Sequence, residues 1–399
     1  MAASTRIYIS DAFAFGGQPA VRDLLKAGYN TLIVWSIHVH EQGDLIWNDT
    51  TIVSNRVYKP GPFDLPNRLA QLRKAGAEII FSVGAGENFD FTNIRNLLGG
   101  KPGGPGNIIY DNFLVLKNEM VKAGGDIDAI DFDNEDIQDD SDVMINFGLT
   151  LAKAGYQHVT FCPSSYSTDS WVATWKGLAS LGSQFVNAIH LQCYSGAGGN
   201  ISRVPVWIND FKGVAIIPGL ATNQAQPGPW WARDPSPPHP GESVHKVPNV
   251  AMFEGANWEN FLYKQNFPTI DAALEAAKTA ASFFFYCRGP LDFHDGRKFQ
   301  TGDAVFFTGV PWWGSAQQCD AYYLGQPWTN IYNPYPMQNG CPADLQAQFK
   351  TWAGKVQGGF IWLYDSIISG LLAGGCGGQM DKPAATALAY RQAITNALG

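Results

Sequence analysis

The chain has little charge, and less of it is basic than acidic. Asp, Glu, Lys and Arg make up 16% of the 399 residues, and 27 Lys and Arg stand against 35 Asp and Glu, for a net charge of −8. Without a long basic run there is no electrostatic footprint for nucleic acid or for an anionic membrane surface, and neither partner is expected. No stretch approaches the roughly 20 apolar residues that span a bilayer, so membrane insertion is not expected either. The opening MAASTRIYIS lacks a charged segment followed by an apolar run and a cleavage site, so no secretory signal is visible. CxxC pairs and Cys/His clusters with zinc-site spacing are missing, and no metal or other cofactor is expected. Nucleophilic-hydrolase and nucleotide motifs are missing too: there is no GxSxG and no GxGxxG after the first strand candidate. The Gly-rich run at 99–106 lacks the GK[ST] of a phosphate loop and reads as a flexible loop.

What is present is a globular composition, 45% hydrophobic and 13% aromatic, with 43 Gly and 24 Pro. That excludes wholesale disorder. At about 150 residues per domain the length suggests two or three domains. Of the six cysteines, Cys162, Cys193 and Cys287 sit in apolar runs and read as small buried hydrophobes. Cys319, Cys341 and Cys376 lie in Gly- and Pro-rich stretches that leave room for one disulfide, Cys319 with Cys341 being the nearest pair.

Short β-branched runs recur at 6–10, 31–37, 78–83, 129–134, 158–163, 188–194, 213–218 and 359–364, and amphipathic segments lie between them. The helix candidates include 19–28, 65–76, 110–124, 143–155 and 345–356, with a last one at 384–398. Four of them end in Ala-Gly, at Gly28, Gly76, Gly124 and Gly155, the expected glycine just past a helix. Strand and helix alternating eight times predict an α/β fold, a (β/α)₈ TIM barrel. An open doubly wound sheet is the second choice. One connection breaks the rhythm: residues 222–344 are rich in Pro and aromatics, hold a helix candidate at 269–281, and carry six of the 13 tryptophans. A structureless loop of that length is improbable, so 222–344 is expected to be an α+β subdomain inserted between strand 7 and helix 7. The barrel then comprises 1–221 and 345–399.

The most informative segment is Asp128-Ala-Ile-Asp131-Phe-Asp133-Asn-Glu135. Side chains alternate along a strand, so Asp131, Asp133 and Glu135 share one face while Ile130 and Phe132 point to the helical layer. In a barrel the three acids climb the inner face toward the C-terminal rim, where barrel active sites lie. Three neighbouring acids do not all ionise cheaply, which makes Glu135 a candidate general acid above a charged or proton-sharing Asp133. A solvated acidic loop accounts for Asp136, Asp139 and Asp140, which follow at once, but not for the alternation.

This DxxDxDxE pattern resembles the signature of the family 18 glycoside hydrolases, the chitinases and endo-β-N-acetylglucosaminidases, and it falls on the fourth strand as that family requires. Ser82-Val83-Gly84-Ala85 is similar to the family's SxGG, with Ala85 in place of a glycine. Gln192-Cys193-Tyr194 resembles the Gln-x-Tyr of plant-type chitinases, Trp362 falls on a closing strand like the one that carries the family's Trp, and Tyr8 matches an aromatic position of the substrate site. There are departures: Ser195 stands where many chitinases have Asp, and Asn134 where an aromatic residue is common.

The resemblance implies retaining, substrate-assisted hydrolysis of glycans containing N-acetylglucosamine. In it Glu135 is the acid, Asp133 holds the substrate's acetamido N–H, and Asp131 supports Asp133. Tyr194 hydrogen-bonds the acetamido carbonyl with Gln192 beside it, Trp362 floors the sugar pocket, and Ser82 supports the buried aspartates. The expected partner is an oligo- or polysaccharide containing N-acetylglucosamine, such as chitin, an N-glycan or peptidoglycan. A monomer is expected; the residues leave the compartment open, and the resemblance alone suggests an extracellular one. A non-hydrolytic carbohydrate-binding or inhibitor protein on the same barrel is the alternative. A third reading takes His38 and His40, with His158, His190 and Asp365, as a metal-hydrolase set. Against it, His158 and His190 are expected at the starts of their strands, on the face opposite the site. The six tryptophans of 222–344 either line a sugar groove or form the insertion's own core.

Overall fold

The computed structural model describes residues 2–86, 88–194, 199–222, 250–254, 262–266, 283–287, 291–292, 298–299, 304–308, 328–332, 339–372 and 383–399. Eight strands form the frame: β1 (Ser4–Ile9), β2 (Thr31–Val39), β3 (Glu78–Val83), β4 (Ala129–Phe132), β5 (His158–Phe161), β6 (Val186–Gln192), β7 (Ala215–Thr222) and β8 (Gly358–Trp362). Each pairs in parallel with the next, and β8 pairs with β1, so the ring closes. It is a (β/α)₈ barrel.

Closure makes both strand faces interior, one toward the axis and one toward the helices. The outward set is apolar and fully buried, including Ile7, Leu32, Phe81, Ile130, Phe132, Phe161, Leu191 and Ile361. Ile130 and Phe132 face the helices as the alternation predicts, and Phe132 stacks on Phe147 at 5.1 Å between ring centroids. The axial set is unusually polar: Arg6, Tyr8, Ser82, Asp131, Thr160, His190 and Gln192 are all buried. Phe360 fills the rest of the barrel floor. Its ring occupies the space that a Cβ on Gly219 of β7 would take.

The helices are α1 (Asp11–Ala27), α2 (Leu65–Lys74), α3 (Asp90–Leu98), α4 (Ile108–Lys122), α5 (Ser141–Lys153), α6 (Asp169–Gly177), α7 (Asn200–Asp210), α8 (Pro342–Lys350), α9 (Tyr364–Leu372) and α10 (Pro383–Leu398). Gly28, Gly76, Gly124 and Gly155 all take positive φ, so the Ala-Gly pairs end helices as expected. At α4 and α5 the starts differ because of caps. α4 and α5 begin two residues earlier than hydrophobic periodicity suggests, because Asn107 and Asp140 accept backbone N–H groups of the first turn. α1 starts at Asp11 rather than residue 19, and Gly17, at φ 60°, breaks it just before Pro19.

Strand ends shift as well. β4 stops at Phe132, short of residue 134, although the Asp133 N–H still donates to the Val83 carbonyl at 2.9 Å. β7 runs through Pro218 to Thr222, because Gly219, Leu220 and Ala221 continue the pairing with β8. After β2 an antiparallel meander of Leu45–Trp47, Thr50–Ser54 and Val57–Tyr58 extends the sheet.

The chain divides into two compact units, one of Met1–Cys193, Asn200–Gln224 and Asn339–Gly399, the other of Tyr194–Gly199 and Ala225–Gln338. The second unit contains a five-stranded sheet in the order Leu262–Asn266, Val250–Glu254, Ala304–Thr308, Phe283–Cys287, Trp328–Tyr332. The helix candidate at 269–281 and five of the insertion's six tryptophans, Trp328 being the other, lie outside the described residues. Cys162 and Cys193 are buried free thiols. Cys341 is disulfide-bonded, and Cys319, its nearest cysteine in sequence, is outside the described residues.

Candidate active site

The acids of β4 form a column along the barrel axis. Asp128, at the base, is a tie rather than a member: it pairs with Arg73 at the end of α2 and accepts the Ile79 N–H at 2.8 Å, fixing β4 against β3. Asp131 is fully buried and its two oxygens accept four hydrogen bonds. Oδ1 receives the Thr160 hydroxyl at 2.5 Å and His190 Nδ1 at 2.8 Å. Oδ2 receives the Tyr8 hydroxyl at 2.8 Å and the Ser82 hydroxyl at 3.1 Å. Burial by itself raises the Asp131 carboxyl. His190 and these hydroxyl donors outweigh it and hold the group below the ordinary value, as an anion.

Asp133 has the opposite balance. It is 2% exposed, and accepts the Trp35 indole N–H at 3.0 Å on Oδ2 and the Gln192 amide at 2.9 Å on Oδ1. Burial first, then the neighbouring Glu135 and Asp131, push its carboxyl well above the carboxylate range, and the bonds from Trp35 and Cys162 do not offset them. Asp133 therefore takes up a proton more readily than an ordinary carboxyl.

Glu135, half-buried at the mouth, accepts the same Gln192 amide nitrogen at 2.8 Å. One NH₂ group thus spans both upper carboxyls. Gly84 and Gly86 make room for them. A Cβ on Gly84, at φ 100°, would collide with the Asp133 carbonyl, and one on Gly86 would lie 3.0 Å from Glu135 Oε2. Ala85 tolerates its side chain because neither approach falls on it.

Above Asp131 the walls are aromatic. Tyr8 lies fully buried with its ring 5.2 Å from that of Trp362, and Trp362 meets Trp35 edge-on at 4.8 Å. Glu135, Asp133, Asp131, Gln192, Ser82, Tyr8 and Trp362 are therefore one connected network. Tyr194 is buried two residues beyond Gln192, directly before residues 195–198, which are not described. The acids after Glu135 are largely caps: Asp136 accepts the Thr92 N–H at 2.8 Å in α3, and Asp140 that of Val143 at 3.2 Å in α5. An open cleft of about 690 Å³ runs from Glu135 over Asp136, Asp139, Asp140, Asp142 and Arg95.

His190 corrects an expectation. It is not at the start of its strand on the opposite face; it is the fifth residue of β6, fully buried and inside the barrel. β6 begins at Val186 rather than residue 188, so His190 shares the axial face with Gln192. Arg6, Trp35, Thr160 and Cys162 join the column without having been singled out. Thr160, Cys162 and Arg6 occupy alternate strand positions, a signal that becomes readable only once the barrel register is known.

The metal-hydrolase set is dispersed. His38 Nδ1 bonds Asp90 at 2.9 Å, and His40 is exposed. His158 bonds the Gln184 carbonyl at 2.8 Å. Asp365 accepts the Ser10 and Ala12 N–H groups at 3.0 and 2.6 Å. Among the described residues no group of three or more His, Cys, Asp or Glu is arranged to hold a metal ion.

No family model matches the chain, and no curated protein matches it. Solved structures are similar in fold. A chitinase from Chromobacterium violaceum is 11% identical over 98% of this chain and 99% of its own, with a TM-score of 0.47. A GH18 chitinase from Pseudoalteromonas aurantia is 14% identical over 56% of this chain and 82% of its own, with a TM-score of 0.41. The spore cortex-lytic enzyme SleL of Bacillus megaterium is 10% identical over 90% of this chain and 70% of its own, with a TM-score of 0.43.

Proposed function

We propose that this chain is a retaining glycoside hydrolase of β-1,4-linked N-acetylglucosamine glycans, acting by substrate assistance. The observation that carries the reading is the order of the acids that follow one another from β4: an anion-favouring Asp131, an Asp133 whose carboxyl is pushed up, and Glu135 at the mouth, with one Gln192 amide bridging the upper two. Glu135 gives its proton to the glycosidic oxygen as the bond to the anomeric carbon breaks. The substrate's own acetamido oxygen closes on that carbon, forming an oxazolinium ion, so no enzyme nucleophile is required. With the proton shared by the two upper acids placed on Glu135 before this step, Asp133 is ionised, accepts the acetamido N–H and balances the positive charge that develops there. Water then opens the ring on the same face, giving up a proton to Glu135, and the configuration is retained.

Tyr194 and Gln192 serve the acetamido group, and Trp362 offers an aromatic face to the sugar. Because the acetamido group is the nucleophile, cellulose is not a substrate. Chitin, chitooligosaccharides and the related bonds of N-glycans and peptidoglycan remain the substrate class.

Incubation with N-acetylated chitooligosaccharides, read by mass spectrometry, is expected to give shorter oligomers. Glu135→Gln is expected to lower kcat by about 10²–10⁴-fold, the range for a general acid, while binding persists. Binding without cleavage by the wild-type protein, across all these glycans, would replace the hydrolase reading with that of a carbohydrate-binding or inhibitor protein.

A further inference from the structure

Below Asp131 the barrel holds a buried cation that the hydrolytic scheme does not use. Arg6 is 8% exposed and its Nη1 lies 2.7 Å from Nε2 of His190, whose Nδ1 lies 2.8 Å from Asp131 Oδ1. The guanidinium has only donors, so Nε2 must accept and the single imidazole proton sits on Nδ1, where it donates to Asp131. His190 is thus neutral, bridging a fixed cation to a carboxylate. Burial, and then Arg6, oppose its protonation despite Asp131.

Among the described residues the groups facing this chain of bonds are few. From β1 come Arg6 and Tyr8, from β3 Glu78, from β4 Asp133 and Glu135, and from β5 the neutral thiol of Cys162. Glu78 lies toward the Arg6 end, where it also accepts the Thr31 hydroxyl at 2.8 Å. The order along the axis is therefore Glu78, Arg6, the neutral His190, Asp131, and only then the two upper acids.

We infer that Arg6 and His190 are a positioning pair, which anchors Asp131 from below as a permanent anion and so confines the exchangeable proton of the column to Asp133 and Glu135. Neither residue reaches the substrate; both act through Asp131. Removal of the anchor lets Asp131 compete for the proton. Asp133 then ionises more readily, and Glu135 faces a different neighbour. The inference rests on the reading of Asp133 and Glu135 as the working carboxyls.

The test is carboxyl-carbon NMR of the full chain labelled at aspartate and glutamate, over a pH series. Asp131→Asn and Asp133→Asn spectra assign the two resonances. In the wild type the Asp131 signal is expected to stay ionised where that of Asp133 is still protonated. In His190→Leu and in Arg6→Gln the two titrations are expected to move toward each other. With a chitooligosaccharide, kcat should fall about tenfold with KM little changed, and the pH profile should shift by about one pH unit.

His190→Asn keeps a donor near the Nδ1 position and is expected to recover most of both. Either of the disruptive variants, His190→Leu or Arg6→Gln, decides the matter if it folds. In either of these two, titrations unchanged from wild type overturn the pair's role, even if activity falls. A wild-type protein that cleaves no glycan overturns the hydrolase reading alone, since the titrations still judge the pair.

Discussion

The lower and upper storeys of the barrel interior are built from the same strands and behave in opposite ways. Asp131 and Asp133 are two residues apart, both buried, and both bonded by neighbouring side chains. Yet one is held below the ordinary carboxylate value and the other well above it. The difference lies in what faces each. Asp131 meets four donors and a cation one residue removed, whereas Asp133 meets two other carboxyls. Burial alone does not decide a charge state; the balance of donors and like charges does.

The contrast predicts opposite responses to the same change. Asp131→Asn leaves Arg6 and His190 buried against a neutral partner, and a loss of about 3–5 kcal/mol is expected, the range for breaking a buried pair. Chemical denaturation at neutral pH measures it, and a near-neutral result would show that Asp131 is not an anion. The contribution of a depressed group is present above its unfolded value of 3.8 and lost as pH falls through the lower folded value. The gap between wild type and variant should therefore close in acid.

Gly84→Ala ranks next. It sets a side chain against the Asp133 carbonyl at a positive φ, and a loss of about 1–3 kcal/mol is expected in the same assay. Asp133→Asn should change stability in the other direction. A raised group in the folded state holds a proton that the unfolded chain releases, so its contribution fades as pH rises from 3.8 through the raised value. The variant should be more stable than wild type near pH 8 and no more stable near pH 3, while turnover is lost; equal stability at both would remove the distinction between storeys. The smallest structural effect belongs to Gly86→Ala. Its Cβ displaces the Glu135 carboxyl by a few tenths of an ångström, so melting should be unchanged while kcat falls, by up to about 10²-fold.

The upper storey was legible in the sequence because three acids at a spacing of two declare a shared face whatever the strand's neighbours. The helix ends were legible from Ala-Gly pairs for the same local reason. The lower storey was not. Arg6 and His190 are 184 residues apart, and Trp35 and Asp133 are 98 apart, so their meeting depends on barrel register. A shift of two residues in the expected start of β6 was enough to move His190 from the barrel interior to its rim. Asp136 and Asp140 looked like part of an acidic run, and their use as caps follows only from where α3 and α5 begin.

The Phe360 ring, seated in the space left by Gly219, also touches Tyr8 at 5.1 Å and His190 at 5.8 Å between ring centroids. It works as a gasket. Positions 219 and 360 then form one unit in sequence space, where enlarging the first requires shrinking the second. Trimming the ring alone would open a path for water to the imidazole, and hydration there would weaken the grip of the cation on the carboxylate above it.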